Sequence, residues 1–337
     1  MAEKVIKSYK GFDSSLSCRD FQYEVGKEYE MDGPIECCER GFHACESPLE
    51  VFDHYDMLKS RFAEVEQSGT IDREEGSTKV CSSRIKIKAE LKLADIINIG
   101  VEWLKDITSP SKVKTDSLLS DNGERKKQIG SSGDYTKIGS SGDYTKIGSS
   151  GDSAQIGSSG DYTKIGSSGD SAQIGSSGYS AQIGSSGDSA QIGSSGYYAK
   201  IGSSGFYAKI GSSGDYTKIG SSGDSAQIGS SGDSAQIGSS GYYAQIGSSG
   251  DSAQIGSSGD YAQIDSTGAD SVIMCAGYKS KAKAKIGSWI TLAEWVYNEE
   301  KGRYVPVCVK TEYVDGESIK ADTYYQLIDG VFTEVNE

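Results

Sequence analysis

Two groups of residues in this 337-residue chain have the types and spacing to carry chemistry. The first is a set of thiols around a histidine: Cys18, Cys37, Cys38, His43 and Cys45. Thiolates and a neutral imidazole are the donors that hold zinc tetrahedrally, and these five would suffice for one ion. Their spacing is not the paired CxxC pattern of structural zinc centres. Buried free thiols are the competing reading, because cysteine is a frequent core residue. The second group is a ladder of aromatic and cationic side chains: Tyr144, Tyr162, Tyr198 and Tyr216, with Lys146, Lys164, Lys200 and Lys218 beside them. Tyr179 and Tyr197 stand one position before this register, and Tyr197, Tyr198, Phe206 and Tyr207 read as the densest aromatic patch. Tyrosine rings and ammonium groups suit a protein surface, a base or an anion, and the patch equally suits self-association into a homo-oligomer. Tyrosine is also a good residue for an exposed strand, with no binding role at all.

The ladder exists because the sequence repeats. From Ile129 a nine-residue unit recurs, I-G-S-S-G-[D/Y/F]-[Y/S]-[T/A]-[K/Q], and Ile holds the register to Ile273 without a slip. A fixed period this short marks a stacked architecture rather than a linker. Alternation of side chains along D-Y-T-K-I points Thr or Ala and then Ile inward, and Tyr or Ser and Lys or Gln outward. Ser-Ser-Gly is expected to turn the chain, with Gly at positive φ. The expected fold is therefore a narrow β-solenoid with two strands in each 18-residue coil; three strands in 27 residues is the alternative geometry. A calcium β-roll is disfavoured: the Asp after each Gly is exchanged for Tyr179, Tyr197, Phe206 and Tyr242, and a metal ligand would not be. That Asp reads as a solvated turn residue.

The flanks differ in kind. Residues 1–107 read as a small α/β domain, with strands at Phe21–Val25, Gly41–Cys45, Arg61–Glu66 and Arg84–Leu91, a helix after Pro48 over Leu49–Leu58, and a second over Leu93–Ile107. Residues 108–128 read as a connector, 129–285 as the solenoid and 286–337 as an antiparallel β cap with a hairpin at Asp329-Gly330. Lys279, Lys281, Lys283 and Lys285 alternate at the junction, where they would guard a sheet edge.

Composition bounds the function. The formal charge is -14, spread over all three parts of the chain, which disfavours nonspecific nucleic-acid binding. No run of 18 apolar residues is present, so no membrane-spanning helix is expected. Seven cysteines, an odd number, with no apolar leader in the first ten residues, are expected to be reduced thiols.

The stretches KGF (10–12), FQYEVGK (21–27), GFHACESPL (41–49) and RFAEVEQSG (61–69), followed by the repeats and by IKADTYYQL (319–327), resemble a family of uncharacterised phage and prophage proteins. That resemblance implies a phage origin and action in the cytoplasm of an infected bacterium, without implying a biochemistry. Accessory phage proteins without catalytic signatures are often host-interaction or anti-defence factors, so the expected partner is a host protein. A weaker resemblance is to the NAD-binding half of ADP-ribosyltransferases, in the order strand 41–44, helix 48–55, strand 61–66. It would make residues 1–105 an enzyme with Glu64, Glu66 or Glu90 as the late acid, but the first-strand His of that pattern is missing here. The reading that emerges is a non-enzymatic interaction protein. Its alternatives are this enzyme, a nucleotide-signal binder, and a virion component.

Overall fold

A computed structural model describes residues 5–19, 21–56, 59–74, 77–107, 118–120 and 125–336. Contacts divide the chain into two units, residues 1–103 and 104–337.

In the N-terminal unit, β1 (Ile6–Phe12), β5 (Phe42–Cys45), β6 (Arg61–Arg73) and β7 (Lys79–Leu91) pair antiparallel. β1 lies between β5 and β6, and β7 pairs with both β5 and β6, so the four strands close a ring. Two short strands, β2 (Ser17–Cys18) and β3 (Phe21–Gln22), form a separate hairpin, and β4 (Glu28–Glu30) extends the ring sheet beside β7. Phe12, Leu16, Tyr23, Phe42, Val65, Ile85 and Ile87 fill the core. The expected α/β domain is thus an antiparallel β unit with one α-helix, α1 (Leu93–Ile107), which buries Ile96, Ile97, Val101 and Leu104 at helical spacing. The helix expected after Pro48 is a single 3-10 turn, Glu50–Asp53, and the end of that expectation, Leu58, lies outside the described residues. Its N-cap residue, Leu49, makes no capping hydrogen bond, and the Ser47 hydroxyl accepts the Glu50 N–H at 3.4 Å. Phe52 and Val51 are instead held by burial.

The repeats form a β-solenoid of about nine coils over residues 128–292. From Gln128 to Ser266 every strand pairs parallel with the strand 18 residues on, for example Ile147 with Ile165 and Ile138 with Ile156. Two strands per coil is therefore the geometry. After β8 (Leu118–Ser120), strands β9 (Gln128–Ser131), β10 (Lys137–Ser140) and so on to β25 (Val272–Cys275) alternate between two sheets. The first sheet holds Ile138 to Ile264 and the second Ile129 to Ile273. All these Ile are buried, as are the Thr or Ala two positions earlier. Each fully buried Ile contributes about 1.5–3 kcal/mol, so the stack is stable as a collective. Most of the connector expected over 108–128 lies outside the described residues.

Three details correct the sequence reading. The strand is K/Q-I-G-S, not D-Y-T-K-I, so the fourth residue, Ser, also faces inward and is buried from Ser140 to Ser266. The corner residue at positive φ is the Tyr or Ser after the Asp, near 55° at Tyr144, Ser153 and Ser171. The corner glycines do not have positive φ; they are required by space. A Cβ on Gly169 or Gly187 would overlap the carbonyl oxygen of the glycine one coil below. The Asp is more than a solvated turn residue: its Oδ1 accepts the backbone N–H of the residue one coil on, at 3.0 Å from Asp170 and 2.9 Å from Asp188. Carboxylates thus form a ladder along both corners.

The cap ends each parallel sheet with antiparallel strands. β26 (Lys281–Lys283) ends the parallel run of the first sheet, and β29 (Tyr325–Ile328) and β30 (Val331–Glu334) continue it as the hairpin expected at Asp329-Gly330. β27 (Trp289–Asn298) stacks parallel on β25 and then pairs antiparallel with β28 (Arg303–Tyr313). The junction lysines are engaged here: Lys283 pairs with Asp265 at 3.0 Å, Lys285 with Asp322 at 2.8 Å, and Lys281 donates to the Asn336 carbonyl at 2.9 Å.

Candidate functional site

The corner that leads into each strand of the second sheet carries the tyrosine ladder. Because contacts run from residue i to i+18, Tyr144 lies over Tyr162, Tyr179 over Tyr197, and Tyr198 over Tyr216. The rings touch in sequence: Tyr144–Tyr162 at 5.0 Å and 8° between planes, Tyr162–Tyr179 at 5.9 Å, Tyr179–Tyr197 at 5.8 Å and 15°, Tyr197–Tyr198 at 4.5 Å, and Tyr198–Tyr216 at 5.3 Å. All six remain exposed. Four of them hold a left-handed backbone at φ 54–59°, a conformation that costs a non-glycine residue roughly 1–2 kcal/mol. Serine occupies the same position in other coils, so the corner does not itself demand an aromatic ring.

Beside the ladder, on the outer face of the second sheet, Lys146 pairs in register with Lys164, and Lys200 with Lys218. Gln182 stands between the two pairs. The next outward residue is glycine, at 148, 166, 184, 202, 220, 238 and 256, over which there is open space. Together they shape a shallow groove of about 1130 Å³, walled by Lys and Gln and floored by glycine, that ends at Val272 and Met274. Among the described residues no carboxylate lines it. Like charges directly opposite in a ladder destabilise a sheet, so the paired lysines are a cost that an anionic partner would relieve.

Phe206 and Tyr207 do not join Tyr197 and Tyr198. They stand nine residues on, half a coil away, in the corner that leads into the first sheet. That corner carries its own aromatic series, which the sequence reading missed: Tyr243 stacks on Tyr261 at 5.0 Å and 14°, Tyr261 meets Tyr278 at 5.6 Å, and Tyr278 meets Tyr304 of the cap at 4.1 Å. The 18-residue spacing of Tyr243 and Tyr261 is the signal that would have found it.

In the N-terminal unit a cavity of about 670 Å³ is lined by residues far apart in sequence, among them Lys10, Cys18, Arg19, His43, Cys45 and Tyr55. Lys10 is 2% exposed. Its Nζ donates to the His43 carbonyl at 3.0 Å and lies 3.0 Å from the Tyr55 hydroxyl and 3.6 Å from Cys18 Sγ. The rings of Phe12, Tyr23 and Tyr55 surround it at 5.5–5.8 Å. Burial lowers the Lys10 ammonium from its usual range and raises the Tyr55 and Cys45 groups. Burial, with Lys10 and Lys79 nearby, brings His43 down to about 4; its neutral Nε2 accepts the Cys38 N–H at 2.9 Å.

The expected zinc ligands are not gathered around one point. Cys18 lies beside Lys10 and Tyr55. Cys38 Sγ lies 3.0 Å from Lys79 Nζ and 3.5 Å from a Glu74 oxygen, and the Cys37 N–H donates to Asp72. Among the described residues, the one trio of donor atoms close enough for a metal is Cys45, Glu50 and His54. The Glu50 carboxylate is already taken, accepting the Thr78 N–H, the Thr78 hydroxyl at 2.7 Å and the Ser77 hydroxyl. It closes the loop before β7. The acids of the enzyme reading are also engaged elsewhere: Glu64 with Lys7, Glu66 with Lys88 and Glu90 with Arg61, none of them lining the cavity.

Among the described residues no helix is long and apolar enough to cross a membrane. No curated protein and no solved structure matches the chain. A family model does match: residues 6–99, the N-terminal unit without the repeats, are similar to a domain of unknown function, DUF7666.

Proposed function

We propose that the chain is a non-enzymatic interaction protein, phage-encoded, whose solenoid docks an acidic segment of a host protein and blocks that protein's action. The observation that carries this reading is the continuous surface formed by the tyrosine ladder, the paired lysines and the open glycine floor. Exposed stacked aromatics supply contact area at small entropic cost. The lysine row supplies charge complementarity on a chain that is acidic elsewhere. The glycine floor lets a partner backbone approach closely. The phage assignment and the host-defence target come from the family resemblance of the sequence, and the cytoplasm of the infected cell is where such a partner would be met.

The repeat itself provides the control. Serine, aspartate and glutamine are native at equivalent positions of other coils, so a variant carrying Tyr162→Ser, Tyr197→Asp, Tyr198→Ser and Tyr216→Ser with Lys146→Gln, Lys164→Gln, Lys200→Gln and Lys218→Gln should keep its thermal unfolding profile. Purified intact chain and variant are each immobilised and exposed to lysate of the bacterial host. A partner retained by the intact chain and reduced at least tenfold on the variant supports the reading. Equal retention, or none by the intact chain, overturns it.

A further inference from the structure

We propose that Lys10 is a reactive amine that forms a reversible imine with small anionic carbonyl compounds, 2-oxo acids foremost, admitted to the cavity of the N-terminal unit. The proposal is independent of the solenoid surface.

The first argument is the missing counter-ion. A buried ammonium is normally paired with a carboxylate. The groups that face Lys10 are Cys18 of β2 and Arg19 after it, Tyr23 beyond β3, the His43 carbonyl and Cys45 of β5, and Tyr55 beyond the 3-10 turn. Among the described residues no carboxylate forms an ion pair with it, although the exposed Asp53 also lines the cavity. Its three polar neighbours, the His43 carbonyl and the Tyr55 hydroxyl at 3.0 Å and Cys18 Sγ at 3.6 Å, include no carboxylate. Desolvation acts in the same direction, favouring the neutral form that is the nucleophile.

The second argument is access. Lys10 lines the cavity although its residue is almost wholly covered, so a small molecule in the cavity can meet the amine where bulk water scarcely does. Arg19 lines the same cavity, is exposed, and has no ion-pair partner among the described residues. A guanidinium there and an amine within are the two contacts that a 2-oxo acid needs, one for its carboxylate and one for its carbonyl carbon.

The third is the proton path. The amine lone pair attacks the carbonyl carbon to give a carbinolamine. The nitrogen gives up a proton, the hydroxyl leaves as water, and the C=N bond forms; amine and carbonyl become imine and water, with no redox change. The Tyr55 hydroxyl, 3.0 Å from Nζ, is placed to carry protons between nitrogen and departing oxygen. Tyr55 in turn touches Cys18 Sγ at 3.4 Å, which fixes its orientation.

Glyoxylate with cyanoborohydride is the test, on the full chain, because the hydride traps an imine as a carboxymethyl amine that peptide mass mapping can place. Lys10 should be modified at least tenfold faster than any exposed lysine at pH 7. Its rate should rise less between pH 7 and 9 than the rates of exposed lysines, which gain about tenfold per pH unit as they lose their protons. Tyr55→Phe should slow trapping at Lys10 without altering the exposed sites. Arg19→Gln should reduce trapping by glyoxylate but not by propionaldehyde, which has no carboxylate. Lys10→Arg serves as the blank for mapping. Labelling spread evenly over exposed lysines, or a Lys10 rate that rises with pH as theirs does, overturns the proposal, and neither readout depends on a variant that fails to fold.

Discussion

The N-terminal unit and the solenoid reach burial by opposite arrangements. The solenoid places the same atom in the same surroundings every 18 residues, so an outward position becomes a row and a row becomes a surface. The N-terminal unit places each side chain once. Lys10, Cys18, His43 and Tyr55 come from four separate segments and converge on one cavity. Repetition yields extended recognition faces with every rung alike, whereas an aperiodic ring of strands yields a single point where unlike groups can act on one another.

Glycine shows the contrast most sharply within the solenoid. Gly187→Ala puts a methyl group into the carbonyl of Gly169 and should destabilise the stack by ~3 kcal/mol or more. Gly184→Ala, three residues earlier on the open floor of the groove, should fall within ~0.5 kcal/mol of the parent. Urea unfolding of the two variants reads the difference; equal losses would mean that the coils do not touch as described.

For the N-terminal unit the corresponding probe is pH. His43 is about 4 in the folded state and near 6.5 when unfolded, so between these values the unfolded chain binds the extra proton. The stability present above pH 6.5 should therefore fall as pH drops towards 4 and then level off in this contribution. His43→Gln should flatten that slope for the N-terminal unit, followed by amide hydrogen exchange, and leave the solenoid unchanged. An unchanged slope would show that His43 is not buried neutral.

A smaller effect tests the carboxylate ladder. Asp188→Ala removes the acceptor for the Phe206 N–H and should cost about 0.5–1.5 kcal/mol in urea unfolding, in contrast to a merely solvated turn residue, whose loss would cost nothing measurable. The smallest change should be a gain. Ser171→Gly relieves a left-handed backbone at φ 54° and should stabilise by up to ~1 kcal/mol, seen as a rise in melting temperature.

What could be read from the sequence follows the same division. The nine-residue period carries the coil size, the buried Ile rows and the lysine register, because one local rule is applied many times. The strand frame was less legible: K-I-G-S and D-Y-T-K-I share the period, and alternation alone does not say which residues turn. Nor could the period separate the two reasons for a glycine, left-handed backbone or close approach. α1 and the Asp329-Gly330 hairpin were legible from local spacing, but the segment after Pro48 was not, since burial of Val51 and Phe52 holds it in a single turn. The cavity left no trace in the sequence. Cys18 and Tyr55 stand 8 and 45 residues from Lys10, and only the closing of the strand ring brings them together.

The 18-residue register of the solenoid has a consequence for how such a chain can change length. Its units are nearly identical, so duplication or loss of one during copying of the gene is an ordinary accident. An even number of units inserted or lost leaves every later side chain on its own edge. An odd number carries all later residues to the opposite edge and severs the aromatic ladder at the point of change. Parity, rather than length, decides whether the surface survives, and a lineage could exchange one face for the other in a single step without altering a residue.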